Sequence, residues 1–254
     1  MPNVYIIGGP NGAGKTTVAL KLFPDILPSR EFVNADFIAQ GLSAFNVESV
    51  AFAAGRLMLE RLIGLRSQKK DFAFESTLAS RTFVPFLKEC KEDGYKVNLT
   101  YVWIGSAELA KERIGERAKQ GGHRIPEEVI ERRYGRSVEN FRNLYLPLAD
   151  AWRIFDNTYP ELGLVGYKNV GGDFVTLLPE RMEGIMKGQI REPEGEYSAD
   201  KIFLAAKAAI QEELDRKRKL GLPIVFGKDG KIIVMVGEKV VKEKPLCEDQ
   251  KIVS

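Results

Sequence analysis

Histidine is nearly missing from this chain: His123 is the single example in 254 residues. One imidazole builds no histidine-based metal site, and a hydrogen-bonded structural role suits it better. Cysteine is scarce too. Cys90 and Cys247 lie far apart without ligand spacing, which excludes a thiolate metal cluster and a disulfide framework and fits a reducing compartment. Long apolar runs are absent, and none approaches the roughly 20 residues of a membrane helix. Met1-Pro2-Asn3 lacks the basic start of a secretory signal. The expectation is a soluble, cytoplasmic protein. Charge of one sign is not in excess either: 38 Lys and Arg against 35 Asp and Glu leave a net +3. No basic tail points to nucleic acid or to an anionic membrane. There is no internal repeat, no low-complexity tract and no Leu-Ser-Gly-Gly-Gln segment, which disfavours an ABC-type cassette.

What is present suits one large domain, or one domain with an appendage: 44% of the residues are hydrophobic. Val4–Ile7, Glu31–Ala35, Asp71–Glu75 and Val97–Ile104 read as strands, the last apolar enough to be buried on both faces. Helices are predicted over Lys15–Phe23, stopped by Pro24, and over Val47–Arg66 and Thr82–Gly94. This alternation predicts an α/β fold, a twisted parallel sheet with helices on both faces. It places the loops after Ile7, Ala35, Phe74 and Ile104 along one edge, where such sheets bind ligands. Ala107–Gln120 reads as a helix, Gly121-Gly122 as a break, and a second helix starts near Pro126. Ile130, Tyr134, Val138, Phe141 and Tyr145 mark its inward face. Arg153–Asp156 reads as a strand, and Leu164–Asn169 with Phe174–Leu178 as a hairpin. The polar stretch Gly188–Tyr197 is a candidate linker. Beyond it come a charged helix, Ala199–Leu220, a hairpin of Ile224–Phe226 with Ile232–Val236, and a loose tail, Lys242–Ser254. The domains expected are residues 1–187 and a C-terminal helix–hairpin appendage, 198–254.

Gly9-Pro10-Asn11-Gly12-Ala13-Gly14-Lys15-Thr16 fits G-x-x-x-x-G-K-[ST], with a strand before it and a helix after it. Glycines let backbone N–H groups wrap a phosphate, and the helix adds its positive end. Lys15 can reach the β- and γ-phosphates, Thr16 can hold Mg²⁺, and Thr17 continues the nucleotide-binding run. The motif indicates triphosphate binding and leaves the fate of the phosphate open. Asp36, in Asn34-Ala35-Asp36, is either a base for an acceptor hydroxyl or a helix cap. Glu75, in Glu75-Ser76-Thr77, stands where an acidic residue orders Mg²⁺ or grips an acceptor; here too a cap is the alternative. Arg113, Arg117, Arg124, Arg132, Arg133, Arg136 and Arg142 crowd one stretch. Arg113 and Arg117 share a helix face, and Arg124 follows the double-glycine break. They suit a lid that clamps transferring phosphates, or else a solvated face; Arg132 has Glu128 four residues before it. Asn157, after the last sheet strand, is a candidate contact to the base.

Taken together, Gly8 to Thr17, Asn34-Ala35-Asp36, Glu75-Ser76-Thr77 and the arginine-bearing stretch resemble the zeta-toxin family of P-loop kinases, over roughly residues 1 to 180. Members phosphorylate UDP-N-acetylglucosamine on its sugar with ATP and Mg²⁺, and some are held in check by an antitoxin. The resemblance implies a helical lid and an ATP-dependent kinase with an alcohol acceptor. Lys15 and Thr16 would bind phosphates and metal, Asp36 would activate the sugar hydroxyl, and Asn34, Glu75 and Thr77 would hold the acceptor. Arg113 or Arg117, together with Arg124, would neutralise the moving phosphoryl group. Two features depart from the family: Phe37-Ile38-Ala39-Gln40 brings no basic residue near Asp36, and the segment after residue 198 is not part of the toxin core. The alternatives are an ATPase or nucleotide switch, and a regulatory protein that binds an antitoxin or a second copy through 198–254.

Overall fold

The computed structural model describes residues 1–26, 31–119, 125–187, 223–228, 231–236 and 239–245. Gly121-Gly122, His123, Arg124, the linker 188–197, the helix expected at 199–220 and Cys247 lie outside them. By its internal contacts the chain divides into two compact units, Met1–Pro193 and Glu194–Ser254.

The first unit is built on a seven-stranded sheet. Its strands are β1 (Asn3–Gly8), β2 (Phe32–Val33), β3 (Phe72–Ser76), β4 (Lys96–Trp103), β5 (Ala151–Asp156), β6 (Gly163–Lys168) and β7 (Phe174–Thr176). The order is β2-β3-β1-β4-β5-β6-β7. The first five are parallel, and β6 and β7 add an antiparallel edge. The helices are α1 (Lys15–Ile26), α2 (Ala35–Leu42), α3 (Ala51–Ser67), α4 (Phe83–Glu92), α5 (Ala107–Lys119), α6 (Glu127–Asn140) and α7 (Pro179–Lys187).

Period-two alternation along the strands sends side chains into two cores. On one face Val4 and Ile6 of β1, Phe72 and Phe74 of β3, and Leu99 and Tyr101 of β4 pack against Met58, Leu62 and Leu65 of α3 and Phe86, Leu87 and Cys90 of α4. On the other, Ile7, Ala73, Val102 and Ile104 meet Val18 and Ala19 of α1, Ala110 and Ile114 of α5, and Ile130, Tyr134 and Val138 of α6. Leu62, Leu65 and Leu87 are fully buried, so trimming any of them to alanine costs about 2–5 kcal/mol.

Helix ends follow local chemistry. After α4, Gly94 takes φ +85°. The Gly94 N–H donates to Lys91 O at 3.0 Å and the Tyr95 N–H to Cys90 O at 2.9 Å, a Schellman ending that a left-handed glycine permits. Helix α1 runs past Pro24, the expected stop, to Ile26; proline removes one N–H bond yet keeps a helical φ. Strand β2 is two residues long where five were expected, because Asn34 caps α2 immediately after it. Helix α6 continues into a π-helical turn, Phe141–Tyr145. The inward face read from Ile130 to Tyr145 is buried throughout.

Among its described residues the second unit holds three antiparallel strands, β8 (Pro223–Lys228), β9 (Lys231–Val236) and β10 (Lys239–Pro245), in the order β10-β9-β8. The hairpin is therefore one part of a three-stranded sheet. Residues 242–245, read as loose tail, belong to its third strand, which pairs with β9 from Lys239 to Pro245.

Candidate active site

Parallel pairing brings the ends of β1, β3 and β4 to one edge, with Ile7 beside Glu75 and Thr100. The glycine loop starts there and is packed from every side. A Cβ on Gly9 would lie 2.2 Å from Val102 O, and one on Gly14 would lie 2.5 Å from Asn157 Nδ2. Both glycines have positive φ, +147° and +82°, so neither space nor backbone admits a larger residue. Gly8, just before the loop, faces Leu78, whose Cδ1 would be 2.5 Å from an added Cβ.

Lys15 opens α1 and is 7% exposed. Its Nζ donates to Pro10 O at 2.9 Å and lies 3.9 Å from Glu75 Oε1. Glu75 is the hub of the site. Thr16 Oγ1 donates to its carboxylate, 2.9 Å from Oε2 and 3.1 Å from Oε1, and Asn34 Nδ2 donates to Oε2 at 2.9 Å. Burial pushes the Glu75 carboxyl above the usual carboxylate range; Lys15 and Thr16 hold it down, while Asp36 pushes it up. Burial likewise pushes the Lys15 ammonium below its ordinary value, Glu75 and Asp36 pull it back, and Arg117 adds to the depression. The pair shares one desolvated pocket in which each charge sustains the other.

Asn34 does two things at once. Its Oδ1 accepts the Asp36 N–H at 2.7 Å and caps α2, while its amide nitrogen braces Glu75. Asp36 is thereby relieved of capping. Its side chain is exposed, and among the described residues no hydrogen bond or ion pair engages its carboxylate. Thr77 Oγ1 accepts the Ala79 N–H at 3.4 Å. Thr17 is exposed in the first turn of α1. Asn11 Oδ1 is buried in the glycine loop with no hydrogen-bond partner among the described residues.

The two arginines of α5 divide. Arg113 Nη2 donates to Thr158 O at 3.1 Å, which ties it to the loop after β5. Arg117 is exposed, and its charge acts on Lys15. Asn157, expected at the base, is directed at the glycine loop: its Nδ2 donates to Ala13 O at 2.8 Å.

Two contacts that shape this edge were not anticipated, although Tyr145 was read as facing inward. Asn140, 4% exposed at the end of α6, donates from Nδ2 to Leu78 O at 2.8 Å. Tyr145 OH donates to Ser80 O at 2.6 Å. Between them they fix the loop that follows Glu75, in which Leu78 is buried with φ +56°. A left-handed leucine is strained, and such strain persists where surrounding bonds overdetermine it.

Strand, glycine loop and helix, with a lysine and a threonine gathered on one acidic residue of the neighbouring strand, define a P-loop nucleotide-binding protein of the α/β class. The sequence profile of the family described as Zeta toxin matches residues 1–159. The chain belongs to the zeta-toxin family of P-loop kinases. It is 32% identical over 126 residues to an uncharacterized protein of Haemophilus influenzae, which spans 50% of this chain and 88% of that one. The crystal structure of AvrRxo1-ORF1:-ORF2 with ATP is similar at a TM-score of 0.59 and 21% identity, over 78% of this chain and 66% of that chain. A structure from the PezAT chromosomal toxin–antitoxin system of Streptococcus pneumoniae is similar at 0.55 and 17%, over 85% and 88%. At these identities the structural likeness shows the fold. The chain spans just under two thirds of the length of the AvrRxo1 relative.

Proposed function

We propose that this protein is an ATP- and Mg²⁺-dependent kinase that transfers the γ-phosphoryl group to a hydroxyl of a small acceptor, with UDP-N-acetylglucosamine the first candidate. The observation that carries the reading is the pairing of an occupied and an unoccupied carboxylate. Glu75 is bound up with Thr16, Lys15 and Asn34, and Asp36, whose carboxylate has no hydrogen bond or ion pair among the described residues, would face an acceptor.

The residues present fit the groups the reading requires. Mg²⁺ takes oxygen ligands and keeps several waters and phosphate oxygens. Thr16 Oγ1 and the Glu75 carboxylate are such oxygens, 2.9 Å apart, and would hold it. The metal would neutralise charge on the β- and γ-phosphates. The glycine loop, whose Gly9 and Gly14 take positive φ and leave no room for a Cβ against Val102 O and Asn157 Nδ2, suits a phosphate held by backbone N–H groups. Lys15 Nζ, satisfied by Pro10 O, exchanges that carbonyl for phosphate oxygens. Asp36 accepts the proton of the acceptor hydroxyl as its oxygen bonds to phosphorus and the bond to ADP breaks; the products are a phosphate ester, ADP and a proton. Arg117, together with Arg124, steadies the charge on the moving group, while Arg113 fixes the loop after β5. Thr77, at the mouth of the strand, contacts the acceptor. The family resemblance supports the sugar nucleotide as acceptor. A protein partner, an antitoxin or a second copy engaged through residues 198–254, belongs to the same proposal; nucleic acid and membrane do not.

The test is ADP release by the full chain with ATP and Mg²⁺, with and without UDP-N-acetylglucosamine, followed by phosphorus NMR of the products. The proposal expects stimulation by the sugar nucleotide and a new sugar-phosphate resonance. Slow release indifferent to any hydroxyl acceptor would replace the kinase with an ATPase.

A further inference from the structure

Asn157 sits 144 residues from the glycine loop in sequence, yet its amide closes on that loop's backbone: Nδ2 lies 2.8 Å from Ala13 O and against Gly14, the residue before the phosphate-binding lysine. A carbonyl in a phosphate cradle repels the ligand if it turns inward. Held outward, it leaves the neighbouring N–H groups aimed at the anion. Asn157 has the means to hold it, because its own position is fixed on every side. Its N–H donates to Trp103 O at 2.9 Å. Asp156, before it, accepts from the Thr158 N–H at 2.8 Å and from the Thr158 hydroxyl. The Gly105 N–H donates to Thr158 Oγ1 at 2.9 Å, and Arg113 holds Thr158 O.

Behind this loop stands a buried ion pair. Arg181 of α7 places Nε 3.5 Å from Asp156 Oδ2, with both side chains less than 10% exposed. The same guanidinium donates to Tyr159 OH at 2.8 Å and lies over the rings of Trp103 and Tyr159. A charged pair with this many partners is a rigid support rather than a mobile contact.

We infer that Asn157 is a positioning residue for the phosphate cradle. It is seated by the Asp156–Arg181 pair and acts on the triphosphate through the backbone of Ala13 and Gly14, not on the base. Arg181 thereby ties α7, the last helix of the first unit, to nucleotide affinity. The inference rests on the P-loop reading of the site and is independent of the acceptor.

The experiment is nucleotide binding by the full chain without any acceptor, for wild type, Asn157→Ala and Asn157→Asp. The probes are ATP and inorganic tripolyphosphate, which carries no base. Thermal unfolding is followed on the same samples. Loss of a buried hydrogen bond that shapes the cradle weakens binding about tenfold. The expected result is that Asn157→Ala loses about tenfold for both probes while still unfolding cooperatively. Asn157→Asp, which turns an acceptor toward a carbonyl, loses more. A folded Asn157→Ala with unchanged affinity for both probes overturns the inference. So does a loss confined to ATP, which would make Asn157 a base contact. Wild type failing to bind either probe would instead remove the nucleotide reading itself.

Discussion

At the scale of single residues, roles at this edge divide among neighbours that look alike in sequence. Asn34 and Asp36 are both ordinary capping residues. The structure gives the cap to Asn34, and among the described residues no hydrogen bond or ion pair engages the Asp36 carboxylate. Arg113 and Arg117, four apart on α5, were interchangeable by spacing. One is bonded to Thr158 O and the other bears on Lys15. If Arg117 steadies the moving phosphoryl group as proposed, Arg117→Ala lowers kcat by about 10²-fold or more with ATP affinity nearly kept. Arg113→Ala should do the reverse: a higher KM for ATP with kcat largely retained. Steady-state kinetics of both variants decide this, and a fall in kcat confined to Arg113→Ala would exchange their roles. The glycine loop was legible because its residues act through backbone geometry that only their type allows. Asn140, Tyr145 and Arg181 were not. Their roles lie in long-range hydrogen bonds and, for Arg181, an ion pair as well, and nothing in the local pattern distinguishes a buried amide that holds Leu78 O from an exposed one.

At the scale of elements, hydrophobic spacing located most strands and helices of the first unit; α7 was not read from it, and other misses came where local chemistry intervened. The Asn34 cap cuts β2 to two residues. The π turn after α6 continues the inward face to Phe141 and Tyr145, both buried. π turns of this kind often sit at functional sites, and here one carries the hydroxyl that holds Ser80 O. Asp150, at the entry to β5, joins three elements. Its carboxylate accepts the Val97 N–H of β4 at 2.9 Å and Lys91 Nζ of α4 at 3.0 Å, and its own N–H donates to Val97 O at 2.8 Å. Burial alone would raise its pKa, but the Val97 N–H and Lys91 together bring it below the usual carboxylate range. A folded-state pKa below the unfolded value stabilises the fold above the unfolded pKa, about 3.9, and that stability is lost as pH falls through the lower folded value. Asp150→Asn should therefore cost about 1–2 kcal/mol at pH 7, and the gap to wild type should close on acidification below about pH 4. Urea unfolding across pH measures it. A gap that does not change with pH would mean the loss is one of packing, not of charge.

At the scale of the whole molecule, the chain combines a P-loop unit with a second, smaller unit whose three strands outnumber the two that turn residues announced. The third strand, Lys239–Pro245, is charged and carries a register shift between Val240 and Lys242, which breaks the alternation that marks a strand in sequence. No helix among the described residues is long and apolar enough to cross a membrane. Among them no group of three or more His, Cys, Asp or Glu could hold a metal by itself. The account's central claim is that the first unit moves a phosphoryl group to a hydroxyl aligned by Asp36. The most direct measurement is transfer of label from the γ-phosphate of ATP to UDP-N-acetylglucosamine by the full chain, wild type and Asp36→Asn side by side, with ATP affinity determined on the same preparations. The account predicts labelled sugar nucleotide from wild type, a loss of about 10²–10⁴-fold in the variant, and equal ATP affinity in the two. Undiminished transfer by Asp36→Asn would contradict it.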